Sequence, residues 1–268
     1  MNTNQSQNQY ALITGATSGI GYELAKIFGE NGYNLILVAR SQNDLDVTAN
    51  EFSGLYGVEV ITLAKDLFQP NAAFEIYEEV NSRGITVDVL VNDAGQGVYG
   101  KFVEEDIQRQ LDIIQLNVTS LTALTYLFLK EMVARDEGKI LQLASIVSEI
   151  PAPLQAVYGA TKGYILLFTE ALINELKDTN VTVTALQPGA TDTDFFNKAG
   201  AQNSKIAIEQ KLASPADVAR DGYDALMKSD DKIVSGLRNK VQSALSNVVP
   251  DTMLAENMHK QSEERDEA

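Results

Sequence analysis

Tyr10-Ala-Leu-Ile-Thr-Gly-Ala-Thr-Ser-Gly-Ile-Gly21 is the stretch on which the reading of this chain turns. Its first part, Tyr10 to Thr14, is a short apolar run with the pattern of a strand buried on both faces. Apolar residues at helical spacing follow, Ile20, Leu24, Ile27 and Phe28, and Gly32 ends them. Between strand and helix lie three glycines in the spacing Gly-x-x-x-Gly-x-Gly. Gly15 lets the chain turn sharply. Gly19 lets a phosphate approach the backbone at the helix N-terminus, where free N–H groups and the dipole favour anions. Gly21 permits close packing of helix on strand. A strand–turn–helix of this kind predicts a dinucleotide site, with Thr17, Ser18 and Ile20 also in the turn. Its spacing differs from the Gly-x-Gly-x-x-Gly of other dinucleotide folds.

Outward from this turn, strands and helices alternate. Further buried-strand patterns run over Asn34–Ala39, Val58–Leu63, Val87–Val91, Gly138–Ala144, Val181–Leu186 and, more briefly, Ile233–Ser235. Helices are expected from Ser41 as N-cap to about Tyr56, from Pro70, over about 106–135, over 155–177, and from Ser214-Pro215 to Met227. The predicted fold is therefore a single-domain, Rossmann-like α/β structure over residues 9–250: a doubly wound parallel sheet of about seven strands with helices on both faces. Ligands bind such sheets at the carboxyl ends of the strands. Residues 1–8 read as a disordered lead-in and 251–268 as a polar acidic tail, frayed or docked as a short helix. Residues 192–212 show no clean period and suit a mobile lid with short helical turns.

Composition narrows the chemistry. The chain has 268 residues and no cysteine, which removes disulfides, thiolate catalysis and Cys-ligated metals. Its one histidine, His259, cannot build a multi-His metal site, and a His-based triad is disfavoured. No metal is expected. The 37 acids against 21 bases give a net charge of −16, a surface that repels phosphate backbones, so no nucleic-acid partner is expected. No apolar run approaches the roughly 20 residues of a membrane span, and the polar start is unlike a signal peptide, so a cytoplasmic location is expected. Acid–base work near neutral pH then falls to Tyr, Lys, Asp or Glu.

Tyr158-Gly-Ala-Thr-Lys162 places a phenol and an ammonium on one face of a helix. The end of the second strand, Ala39-Arg40-Ser41, carries no acid for a ribose 2′-OH but a guanidinium suited to a 2′-phosphate, which favours NADP(H) over NAD(H).

With these motifs in order the chain resembles the classical short-chain dehydrogenase/reductase family over nearly its whole length. Thr14–Gly21 matches the family's cofactor turn. Asn92-Asp-Ala-Gly95 matches its Asn-Asn-Ala-Gly, with Asp93 as a departure. Asn117 matches the helix asparagine, Ser145 stands 13 residues before Tyr158, and Pro188-Gly189 with Thr191 matches the nicotinamide segment. The resemblance implies that Asp66 and Leu67 contact the adenine, and that Asn92, Ala94 and Gly95 line the ribose. It implies that Thr191 bonds the carboxamide, that Tyr158 donates or accepts the proton, and that Ser145 positions the substrate oxygen. Lys162 would hold the nicotinamide ribose and lower the tyrosine pKa, and Asn117 would hold a water leading to solvent. The implied reaction is hydride transfer between nicotinamide and a carbonyl or secondary alcohol. An NAD-preferring dehydrogenase and a cofactor-binding regulator without turnover are the alternatives. Residues expected near the substrate are Ser145, Ile146, Val147, Pro151, Pro153, Leu154, Phe195 and Phe196. They are mostly apolar and lean to an uncharged, partly apolar small molecule. Family members pair through the two long helices, here about 106–135 and 155–177. Tyr164, Ile165, Leu167, Phe168, Leu172 and Leu176 make a homodimer or homotetramer the expectation.

Overall fold

Uninterrupted apolar strands can be hidden only by covering both sheet faces, and the chain does so. The computed structural model describes residues 8–246 and 249–265. The elements run β1 Tyr10–Thr14, α1 Gly19–Glu30, β2 Asn34–Ala39, α2 Gln42–Tyr56, β3 Val60–Ala64, α3 Ala72–Ser82 and β4 Val87–Asn92. Then come α4 Ile107–Ile114, a π-helical turn Gln115–Ser120, α5 Leu121–Arg135, β5 Gly138–Leu143, α6 Ala156–Glu175 and β6 Val181–Gln187. Two short helices, α7 Phe195–Ala199 and α8 Lys205–Glu209, precede α9 Pro215–Lys228, β7 Lys232–Val234, α10 Leu237–Ser246 and α11 Asp251–Ser262. All seven strands form one parallel sheet in the order β3-β2-β1-β4-β5-β6-β7. Strand order reverses between β1 and β4, which opens a crevice above their carboxyl ends.

One face of the sheet buries α1, α2 and α9 through Leu24, Phe28, Phe52, Val218 and Leu226. The other buries α3, α5 and α6 through Ile76, Leu124, Phe128, Met132 and Leu176. The continuous helix Ile107–Arg135 is, among the described residues, the one long and apolar enough to cross a membrane. Leu116, Leu124, Phe128 and Met132 on it belong to this core.

Several expected boundaries moved. Gly57 caps α2 in the left-handed region (φ +67°), so two residues cross over before pairing begins and β3 starts at Val60 instead of Val58. Pro70 lies before the N-cap Asn71 of α3, outside the helix. The 106–135 helix is interrupted by the π turn at Gln115–Ser120. Residues 192–212 hold the expected short helical turns, α7 and α8. The acidic stretch after Pro250 takes the docked form: α11 buries Met258 and Ser262. The expected lead-in falls almost wholly outside the described residues.

Candidate active site

A cavity of about 650 Å³ lies above the carboxyl ends of the strands. Gly15, Thr17, Ser18, Gly19 and Ile20 line one side. Gly15 and Gly19 have φ of +74° and +59°, and a Cβ on Gly21 would stand 2.5 Å from both Asp93 Oδ2 and Gly15 O, so the turn accepts only glycine without rearrangement. Ser18, the N-cap of α1, makes no side-chain cap bond, and of the first-turn residues Gly19 and Ile20 line the cavity while the Gly21 N–H meets Asp93. Arg40, Ser41, Lys65, Asp66 and Leu67 line the end nearest β2 and β3. The Arg40 guanidinium lies 5.6 Å from the Phe68 ring centre and that of Arg109 5.3 Å from it.

Ala94, Gly95, Ser145, Ile146, Val147, Tyr158, Lys162, Pro188, Gly189, Thr191, Phe195 and Phe196 line the same cavity. Sequence motifs from the ends of six strands, β1 to β6, and from α1, α6 and α7 therefore converge. Five expected residues do not line it, and Pro151 is one of them. The Gly21 backbone lies behind the turn. Asn92, expected beside the ribose, points its amide away, donating to Thr125 Oγ1 (3.1 Å) and Gln142 Oε1 (3.0 Å), and does not join Ala94 and Gly95 at the cavity. Leu154 takes a left-handed turn (φ +64°) and its carbonyl accepts from Gly100 N; it is not a pocket residue. Asn117 backs the wall. Its Oδ1 accepts from Gln96 N (3.1 Å), and its Nδ2 donates to Gln96 O (2.9 Å) and Thr161 Oγ1 (3.0 Å). That side chain is committed to these three bonds.

Lys162 is 3% exposed, and its ammonium donates to Leu143 O at 2.6 Å. Burial pulls it down to about 8, against the attraction of Asp93. An ammonium has three protons, and this geometry leaves others directed into the cavity. Ser145, which bridges to Pro188 O at 3.4 Å, hydrogen-bonds Tyr158. Desolvation pushes the Tyr158 phenol up to about 12, against the Ser145 bond, which favours phenolate. The Lys162 ammonium lies 5.8 Å from the Tyr158 ring centre. Ser148 is no rival of Ser145, since its hydroxyl donates to Lys162 O (2.9 Å) and accepts from Ser145 N.

Sequence reasoning missed Gln96, Gln155, Lys198, Ile206, Gln210, Met258 and Gln261, all in contact with the cavity or its rim. Those on α11 had no signal beyond one methionine in an acidic run.

The residues fit a dinucleotide. The glycine turn, the uncapped α1 terminus and the surplus donors of a buried ammonium are an anion- and ribose-binding set. The family model for short chain dehydrogenases matches residues 9–204. Dehydrogenase/reductase SDR family member 7B of Mus musculus is 31% identical over 232 residues, 83% of this chain and 71% of that protein. The short-chain dehydrogenase from Sphingobium yanoikuyae in complex with NADPH superposes with a TM-score of 0.79 at 26% identity, covering 90% of this chain and 96% of that one. A 7β-hydroxysteroid dehydrogenase structure reaches 0.84 at 25% identity, covering 97% and 100%. The chain belongs to the short-chain dehydrogenase/reductase family, the oxidoreductases that use a nicotinamide cofactor to interconvert alcohols and carbonyl compounds.

Proposed function

We propose that this protein is an NADP-preferring reductase of ketones, or dehydrogenase of the matching secondary alcohols, with Tyr158 as general acid and base. The observation that carries it is the convergence of Ser145, Tyr158 and Lys162 on the cavity that the glycine turn opens into. When bound, the cofactor supplies or accepts the hydride at the carbon. The Ser145 and Tyr158 hydroxyls hydrogen-bond the substrate oxygen and stabilise negative charge as it develops there. In reduction Tyr158 gives its phenolic proton to that oxygen; in oxidation it takes the proton back. Lys162 binds the ribose hydroxyls and stands next in line to return a proton to the tyrosine. Asn117 fixes Gln96 and Thr161 around this path. Gly15, Gly19 and the α1 terminus hold the pyrophosphate, with Thr17, Ser18, Ile20 and Gly21 shaping the turn. Asp66 and Leu67 meet the adenine, Ala94 and Gly95 its ribose, and Pro188, Gly189 and Thr191 the nicotinamide.

The preference for NADP rests on Arg40, which stands beside Ser41 and Lys65 where a 2′-phosphate would lie. Asp66 and Asp44 also line that end, so the guanidinium decides the balance. Titrating NADPH and NADH into the protein tests this. NADPH should bind at least about tenfold more tightly, and Arg40→Ala should erase the difference, since a charge-assisted bond contributes on the order of 1.5–3 kcal/mol. Tighter binding of NADH, unchanged by Arg40→Ala, would contradict the preference.

The same reading makes the protein a homodimer or homotetramer. Ile107, Leu111 and Ile114 on α4, Tyr126 on α5, and Tyr164 and Leu167 on α6 are exposed apolar residues. Ile165 and Leu176, expected at such an interface, are instead buried within the fold.

A further inference from the structure

The acidic C-terminal stretch has six acids against two bases over 251–268, yet it does not stand off from the body. Met258 is 7% exposed and Ser262 2%. Both line the cavity that holds Tyr158 and Ser145, together with Gln261. Backbone bonds stitch this segment to the one between β6 and α9. Lys205 N donates to Glu263 O (2.9 Å), Arg265 N donates to Asn203 O (3.0 Å), and Ser204 pairs with Glu264 in an antiparallel bridge. The Tyr99 phenol donates to Ser262 O, and the Lys205 ammonium meets Glu263 Oε2 at 2.8 Å. Side chains add Gln210 Nε2 donating to Gln261 Oε1 at 3.1 Å. These bonds make α8 and α11 one roof over the cavity.

The chemistry of that roof is specific. Phe196, Ile206 and Met258 are apolar. Toward the cavity this roof brings Ser262 and two neutral amides bonded to each other, Gln210 and Gln261. Lys198 and Asp194, the charged residues of α7 and its cap at the cavity, are paired with each other at 3.2 Å. Among the described residues no unpaired cation stands in this roof to receive a carboxylate or phosphate. A glutamine pair at a largely apolar wall suits a hydroxyl or carbonyl, which can take one bond from the pair and return another. Methionine is a pliable filler for an irregular apolar body.

We infer that α11 is the outer wall of the substrate pocket, and that Met258 and Gln261 select a bulky uncharged ketone or secondary alcohol bearing a hydrogen-bonding group remote from the reacting carbon. This deepens the function proposed above and rests on it. A small ketone held by Ser145 and Tyr158 would leave the roof unfilled; a fused-ring one would reach it.

The test compares NADPH-dependent reduction of cyclohexanone, 2-decalone and a 2-decalone hydroxylated on the ring remote from its carbonyl. Met258→Trp should lower kcat/KM for both decalones at least about tenfold and leave cyclohexanone within about threefold, the range a few methylenes of pocket space supply. Gln261→Leu should remove a preference of about tenfold for the hydroxylated decalone over the plain one. Should the tryptophan variant not fold, Met258→Ala replaces it and should relax the discrimination among ring sizes. Active variants with unchanged selectivity ratios overturn the inference. Absence of turnover of every ketone by the unmodified protein instead removes the function on which it rests. The roof is then read by thermal shift with NADPH present. Stabilisation by the hydroxylated decalone that Gln261→Leu abolishes supports it; equal stabilisation of both proteins, or none, overturns it.

Discussion

Asp93 stands where the family pattern has asparagine, and that one change adds an ionisable group beneath the glycine turn. Its Oδ1 is buried without a partner. Desolvation pushes the carboxyl up to about 7, against the pull of Lys162 and of the Gly21 N–H. An unfolded aspartate sheds its proton near pH 4. Between about 4 and 7 the folded state therefore binds more protons than the unfolded one, and stability falls as pH rises through that window, then levels off. Asparagine at this position carries no such cost. Asp93→Asn should raise the Tm more at pH 8 than at pH 5, and an equal change at both would contradict the buried-acid account. The sequence showed the substitution but not its consequence, since the departure reads as harmless until the carboxylate is seen with an orphan oxygen. Tyr158 teaches the same lesson. Its spacing from Lys162 was legible, whereas the cost of desolvating the phenol was not, because that depends on what packs around the ring, Phe195 included.

At the scale of elements, the strands were legible because parallel strands covered on both faces read as unbroken apolar runs. The glycine turn was legible for the opposite reason, its lack of side chains. The closeness of α1 to the β4 end is the element-level claim that mutation can check. A Cβ at Gly21 would stand 2.5 Å from Asp93 Oδ2 and Gly15 O. Gly21→Ala should weaken NADPH binding at least about tenfold by displacing the α1 terminus, as a roughly 1.4 kcal/mol loss per decade requires. Calorimetry showing an affinity within twofold of the unmodified protein would contradict that packing. The π turn at Gln115–Ser120 was hidden because six residues cannot separate one helical period from another. Only the structure shows that it turns Asn117 onto Gln96 and Thr161 and lets Ser120 donate to Leu67 O at 2.7 Å. Such turns recur at functional sites. The sequence left the 251–268 stretch as frayed or docked, since α11 buries two side chains in an acidic run and offers no periodic stripe.

The whole molecule carries a charge of −16, and α4, α5 and α6 expose apolar side chains that include Leu111, Tyr126, Tyr164 and Leu167. Self-repulsion opposes association, and apolar burial there at about 25 cal/mol per Å² can outweigh it. Leu167 is 68% exposed. Leu167→Glu should reduce the mass seen by light scattering from a dimer or tetramer to a monomer; an unmodified protein that is already monomeric would contradict these helices as an interface. The sequence located the two helices but not the face, because an apolar residue on α6 can point to the sheet, as Ile165 does, or to solvent, as Leu167 does. In the proposed mechanism Tyr158 moves the proton while the cofactor moves the hydride. NADPH oxidation with a panel of uncharged ketones, run on the unmodified protein and on Tyr158→Phe, tests it most directly. The expected result is turnover lost by at least about a hundredfold in the variant, the typical share of general acid–base catalysis, with NADPH still bound. Turnover retained by Tyr158→Phe would contradict the mechanism.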